Sequence, residues 1–65
     1  MPSLILLTVI HAPDPANATA QLEVQRPQQR PILVDFPAAD IALARAVTDS
    51  LARAYPDAFT MIDEV

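Results

Sequence analysis

The longest periodic segment is residues 37–55, PAADIALARAVTDSLARAY, where Ile41, Ala44, Val47, Leu51, Ala54 and Tyr55, with Leu43 beside them, recur at three- and four-residue spacing. That spacing predicts a helix with one apolar stripe. Pro37 is tolerated in a first turn, and Asp40 lies near the positive end of the helix dipole. Pro56 ends the helix, because it restricts Tyr55 and has no N–H to donate. Arg45, Asp49 and Arg53 stand four apart and predict a charge ladder on the solvent face.

The rest of the chain alternates or is continuously apolar over short runs. Residues 3–11, SLILLTVIH, are β-rich and hydrophobic at successive positions, so both faces of this strand need cover. Residues 12–17, with two prolines, Asp14 and Asn17, read as a loop. In residues 19–26, Leu22 and Val24 alternate with Gln21, Glu23 and Gln25, the pattern of a half-buried strand. Residues 27–31 form a polar connection, and Ile32, Val34 and Phe36 mark one face of a third strand whose flanking prolines suit an edge. Residues 58–62 form a fourth strand that runs into the acidic end Asp63, Glu64.

The predicted fold is therefore a single α+β domain over residues 1–65, in the order β-β-β-α-β. The sheet is mostly antiparallel with strand order 3-2-1-4, because a meander of three strands followed by a right-handed crossover returns the last strand beside the first. One helix covers only one face. Ile5, Leu7 and Val9 then point to one side of the first strand and Leu4, Leu6 and Ile10 to the other, with Leu33 and Ile62 also expected to point away from the core. Leu4, Leu6, Ile10, Leu33 and Ile62 are accordingly the candidate interface, since an uncovered apolar face usually marks one. The competing expectation is that the loop at residues 12–18 folds across that face.

Composition sharpens this picture. A chain of 65 residues buries only about 60 % of the surface its unfolded form exposes. Small domains add disulfides, a metal or a second subunit; with no Cys and one His, a second subunit is the option left, so a homo-oligomer is expected. The net charge of −4, with four Arg and no Lys, argues against a nucleic-acid or membrane partner. No Lys or Arg precedes the short apolar run at residues 4–10, so no signal peptide is expected and the location is taken as cytoplasmic. With no Gly, the chain has no phosphate-cradling glycine loop and no ready residue for turns that need positive φ.

Candidate chemistry is sparse. His11 is read as a strand-end residue without a catalytic role, and the eight carboxylates are scattered, so no catalytic residue, cofactor or metal is expected. The most distinctive polar stretch is residues 26–31, RPQQRP, where Arg26 and Arg30 are candidates for gripping a carboxylate or phosphate, against the plainer reading of a solvated turn. The function expected is a non-enzymatic protein–protein interaction module, a homodimer or small subunit of a larger assembly that uses the open sheet face. The alternative is a small inhibitory or regulatory protein, of a kind phages encode, that blocks a larger enzyme or defence complex through its arginine loop or acidic end. An enzyme or small-ligand binder with a site at a subunit interface ranks third.

Overall fold

A computed structural model describes residues 2–65. Four strands, β1 (Leu4–Ile10), β2 (Thr19–Gln25), β3 (Ile32–Pro37) and β4 (Phe59–Glu64), form one sheet in the order β3-β2-β1-β4. β1 pairs antiparallel with β2 and parallel with β4, and β2 pairs antiparallel with β3. The helix α1 (Ile41–Ala54) carries the chain from one edge strand to the other and packs on one face. The expected α+β fold and strand order are thus those of the structure, with the two-faced apolar strand inside the sheet.

Register sets the faces. Val34, Leu22, Leu7 and Ile62 lie in one row across the four strands, and Leu33, Glu23, Leu6 and Met61 in the next. The first row belongs to the helix side: Ile5, Leu7, Val9, Ala20, Leu22 and Ala44 are buried in one cluster, with Val24, Phe36, Ile41, Val47 and Leu51 packed around it. Each fully buried Ile, Leu or Val contributes about 1.5–3 kcal/mol, so this small cluster carries much of the folding free energy.

The helix departs from its expected form in four ways, the first being that Ala54 and Tyr55, at the end of the expected stripe, are exposed. Residues Ala38–Asp40 are a 3₁₀ turn, so the α-helix starts at Ile41. Leu43 stands away from the core, 55 % exposed. Thr48 takes a core position instead, and its hydroxyl donates to the Ala44 carbonyl one turn back (2.8 Å), which lets a polar side chain be buried without an orphaned group. α1 ends at Ala54, ahead of Pro56 as expected, and lies mainly over β1 and β2. Among the described residues no helix is long and apolar enough to cross a membrane.

The connections show how a chain without glycine turns. Asp14 accepts from Ala16 N–H (3.0 Å) and opens a 3₁₀ turn at Pro15–Asn17, which packs against Ala38–Asp40. The loop therefore sits at one end of the sheet and does not cover the face opposite the helix. Between β2 and β3, Gln29 N–H donates to the Arg26 carbonyl (3.3 Å) and Gln28 adopts φ 59°. Proline second and a left-handed residue third are the signature of a type II turn, with a glutamine where glycine is usual. An L-residue in that region is strained by about 1–2 kcal/mol. Gln28→Gly is therefore expected to raise the unfolding free energy by about 0.5–1 kcal/mol in urea denaturation followed by circular dichroism, after allowing for glycine's greater unfolded-state freedom; a loss of stability would contradict the strain.

Candidate interface

The face opposite α1 is built from Leu4, Leu6, Thr8 and Ile10 of β1, Thr19, Gln21, Glu23 and Gln25 of β2, Leu33 and Asp35 of β3, and Phe59, Met61 and Asp63 of β4. It divides into two zones. On the β1–β4 half, Leu4 stands beside Phe59 and Leu6 beside Met61, an apolar block at one end of the sheet. Across the middle runs a polar row of Asp35, Gln21, Thr8 and Asp63, in which the Gln21 side-chain amide donates to Asp35 (3.1 Å).

Of the residues expected at the interface, Leu4, Leu6, Ile10 and Leu33 lie on this face. Ile10 is separated from Leu6 by Thr8 of the polar row, beside a shallow depression of about 440 Å3 lined also by Thr19, Asp35 and Pro37. Leu33 is separated from Leu6 by Glu23. Ile62 is a correction: paired with Leu7, it belongs to the helix side. It stays 51 % exposed there because α1 lies over β1 and β2 and leaves the β4 edge uncovered. The residues sequence reasoning missed are Phe59 and Met61, 62 % and 44 % exposed. Their signal is parity: once Thr60 and Ile62 are on the helix side, Phe59 and Met61 must face away from it.

Arg26 and Arg30 lie at the two ends of the β2–β3 turn. The Arg26 guanidinium donates to the Arg30 main-chain carbonyl (3.0 Å), closing the turn on itself, and Arg30 is exposed. Arg26 instead borders a groove of about 410 Å3 between α1 and β3, walled by Val24, Ile32, Val34, Leu51 and Tyr55, and its Nε is buried there without a partner.

Of the charged end of β4, Glu64 is also engaged. Glu64 points to the helix side, where its carboxylate accepts from Arg45 and lies 3.2 Å from His11 Nε2. Arg45 thus leaves the expected ladder on α1, of which only the Asp49–Arg53 pair remains. The Arg45 hydrogen bond, followed by that of His11, holds the Glu64 carboxyl below its ordinary value of 4.5. Among the described residues no three His, Cys, Asp or Glu side chains converge as metal ligands would. No family model, no curated protein and no solved structure matches the chain.

A carboxyl whose folded pKa is depressed stabilises the fold above its unfolded value and loses that contribution as pH falls through the folded one. The Glu64 side chain, followed by carbon-detected NMR, is expected to titrate below pH 4.5. Arg45→Ala should return the midpoint toward that value, and an unchanged midpoint would contradict the assignment.

Proposed function

We propose that this chain is a cytoplasmic, non-enzymatic protein–protein interaction module, acting as a homodimer or as a small subunit of a larger assembly through the face that α1 leaves uncovered. The observation that carries this reading is the Leu4, Leu6, Phe59, Met61 block, apolar side chains in register on adjacent strands with no element among the described residues packed over them. Scattered apolar residues are ordinary on protein surfaces, but a contiguous block on one sheet face is what an interface supplies. The polar row beside it suits the rim of a contact that is apolar at its centre.

The alternative, a small inhibitor working through its arginine loop or acidic end, draws less support from the geometry. One residue of each is tied to its own chain, Arg26 to the Arg30 carbonyl and Glu64 to Arg45 and His11. A small-ligand site has the α1–β3 groove in its favour but no converging reactive groups.

Static light scattering across concentration is the test, with Leu4→Thr and Leu6→Thr as variants that keep a strand-forming residue. Species larger than the 7.0 kDa chain are expected. Each variant should weaken face-to-face association about tenfold, the effect of losing roughly 1.4 kcal/mol of apolar burial. A monomer at every concentration, binding no apolar-surface dye, would overturn the reading.

A further inference from the structure

The outer edge of β4 carries main-chain groups that nothing else among the described residues pairs. Phe59 N–H donates to the Ser3 carbonyl (3.1 Å), Val65 N–H to the Val9 carbonyl (2.8 Å), and His11 N–H to the Val65 carbonyl (2.9 Å). Backbone groups alternate sides along a strand, so Phe59, Met61, Asp63 and Val65 bond β1 while Thr60, Ile62 and Glu64 turn their N–H and C=O groups outward. Among the described residues β1 is the only strand beside β4.

The two edges of the sheet are treated differently. β3 follows Pro31 and ends in Pro37, which has no N–H. β4 has no proline and no bulge: its register with β1 is one to one from Phe59 to Glu64, and its two carboxylates, Asp63 and Glu64, stand at its C-terminal end. Natural sheets blunt their edges with prolines and bulges, and an edge without them is a template for another strand. The pairing strand supplied by a second copy also has the right chemistry, because β4 is complementary to itself.

We propose that β4 pairs antiparallel with β4 of a second copy about a two-fold axis at Ile62, making one continuous eight-stranded sheet. In that register Ile62 faces its own counterpart, Thr60 faces Glu64, Met61 faces Asp63 and Phe59 faces Val65. Each outward-turned residue then exchanges both of its main-chain bonds. No carboxylate stands opposite another, whereas centring the axis one residue later sets Asp63 against Asp63, a repulsive pair. A stable interface buries about 800 Å2 per partner, close to a fifth of the 4433 Å2 this chain exposes. Strand pairing alone does not reach that, but Phe59, Met61, Ile62 and Val65, exposed by 62, 44, 51 and 69 %, lie along the same edge. The axis runs perpendicular to the sheet, so both helices share one side and the two uncovered apolar blocks merge on the other. The inference rests on the edge rather than the face, and adds to the proposed function a named partner and a geometry.

The chain has no Cys, which makes a single introduced thiol diagnostic. Opposed residues of a hydrogen-bonded antiparallel pair have Cα atoms about 5.5 Å apart, within disulfide range. Ile62→Cys in the full chain is expected to oxidise to a cross-linked dimer at least tenfold faster than Leu33→Cys, a site of similar exposure (55 % against 51 %) on the far strand. Cross-linking should persist when Leu6→Thr is added. Ile62→Pro should leave the monomer folded by circular dichroism and remove the dimer, because that N–H bonds nothing among the described residues. Equal cross-linking rates at the two sites would overturn the pairing. So would a dimer that Leu6→Thr weakens but that fails to cross-link at residue 62, a result that leaves the face reading standing.

Discussion

The structure depends on a single strand that is apolar on both faces. β1 lies between β2 and β4, so its main chain is fully paired, and Ile5, Leu7 and Val9 are completely buried under α1. Leu4 and Leu6 present the same chemistry to the other side. Strands written this way belong to sheets covered twice, and a chain with one helix can cover once. The remaining architecture follows from where that helix goes: it leaves β3, crosses over β1 and β2, and delivers β4 to the open side of β1, so that the last strand completes the pairing of the first.

Placement of the helix also decides which surfaces are left. Centred on β1 and β2, α1 gives full cover to Leu7 and Leu22 but leaves Ile32, Val34 and Ile62 at the flanks with 41–51 % of their surface exposed. β4 is held to its neighbour by the parallel ladder and to the helix by the Arg45–Glu64 pair, an exposed contact whose part is to orient the strand end more than to stabilise it. β4 is thus the strand least wrapped by the helix. A small domain that spends its one helix on the interior has its last strand and its second face available for association, and these lie side by side.

Much of the fold was legible in the sequence because its signals were redundant. The continuous hydrophobicity of β1 marked an interior strand, the alternation of Leu22 and Val24 marked a half-buried one, and short connections with a right-handed crossover left few ways to order the sheet. The parts that were not legible share a cause: they depend on register or on contacts between distant elements. Phe-Thr-Met-Ile carries apolar residues at both parities, so the side taken by Ile62 is decided only by its pairing with Leu7. Arg45 has Asp49 four residues away on its own helix, yet its partner is Glu64, which only the crossover brings near. Thr48 reads as polar in a pattern but satisfies its hydroxyl locally and is buried. Leu43 fits the apolar period loosely and falls outside the stripe once Thr48 takes the core position.

Amide hydrogen exchange along β4, followed by NMR at increasing protein concentration, measures the availability of its edge most directly. Protection at Thr60, Ile62 and Glu64 is expected to rise with concentration, while Met61 and Asp63, whose amides turn toward β1, keep a constant protection. Exchange at Thr60, Ile62 and Glu64 that stays fast and independent of concentration would contradict an edge that takes a second copy.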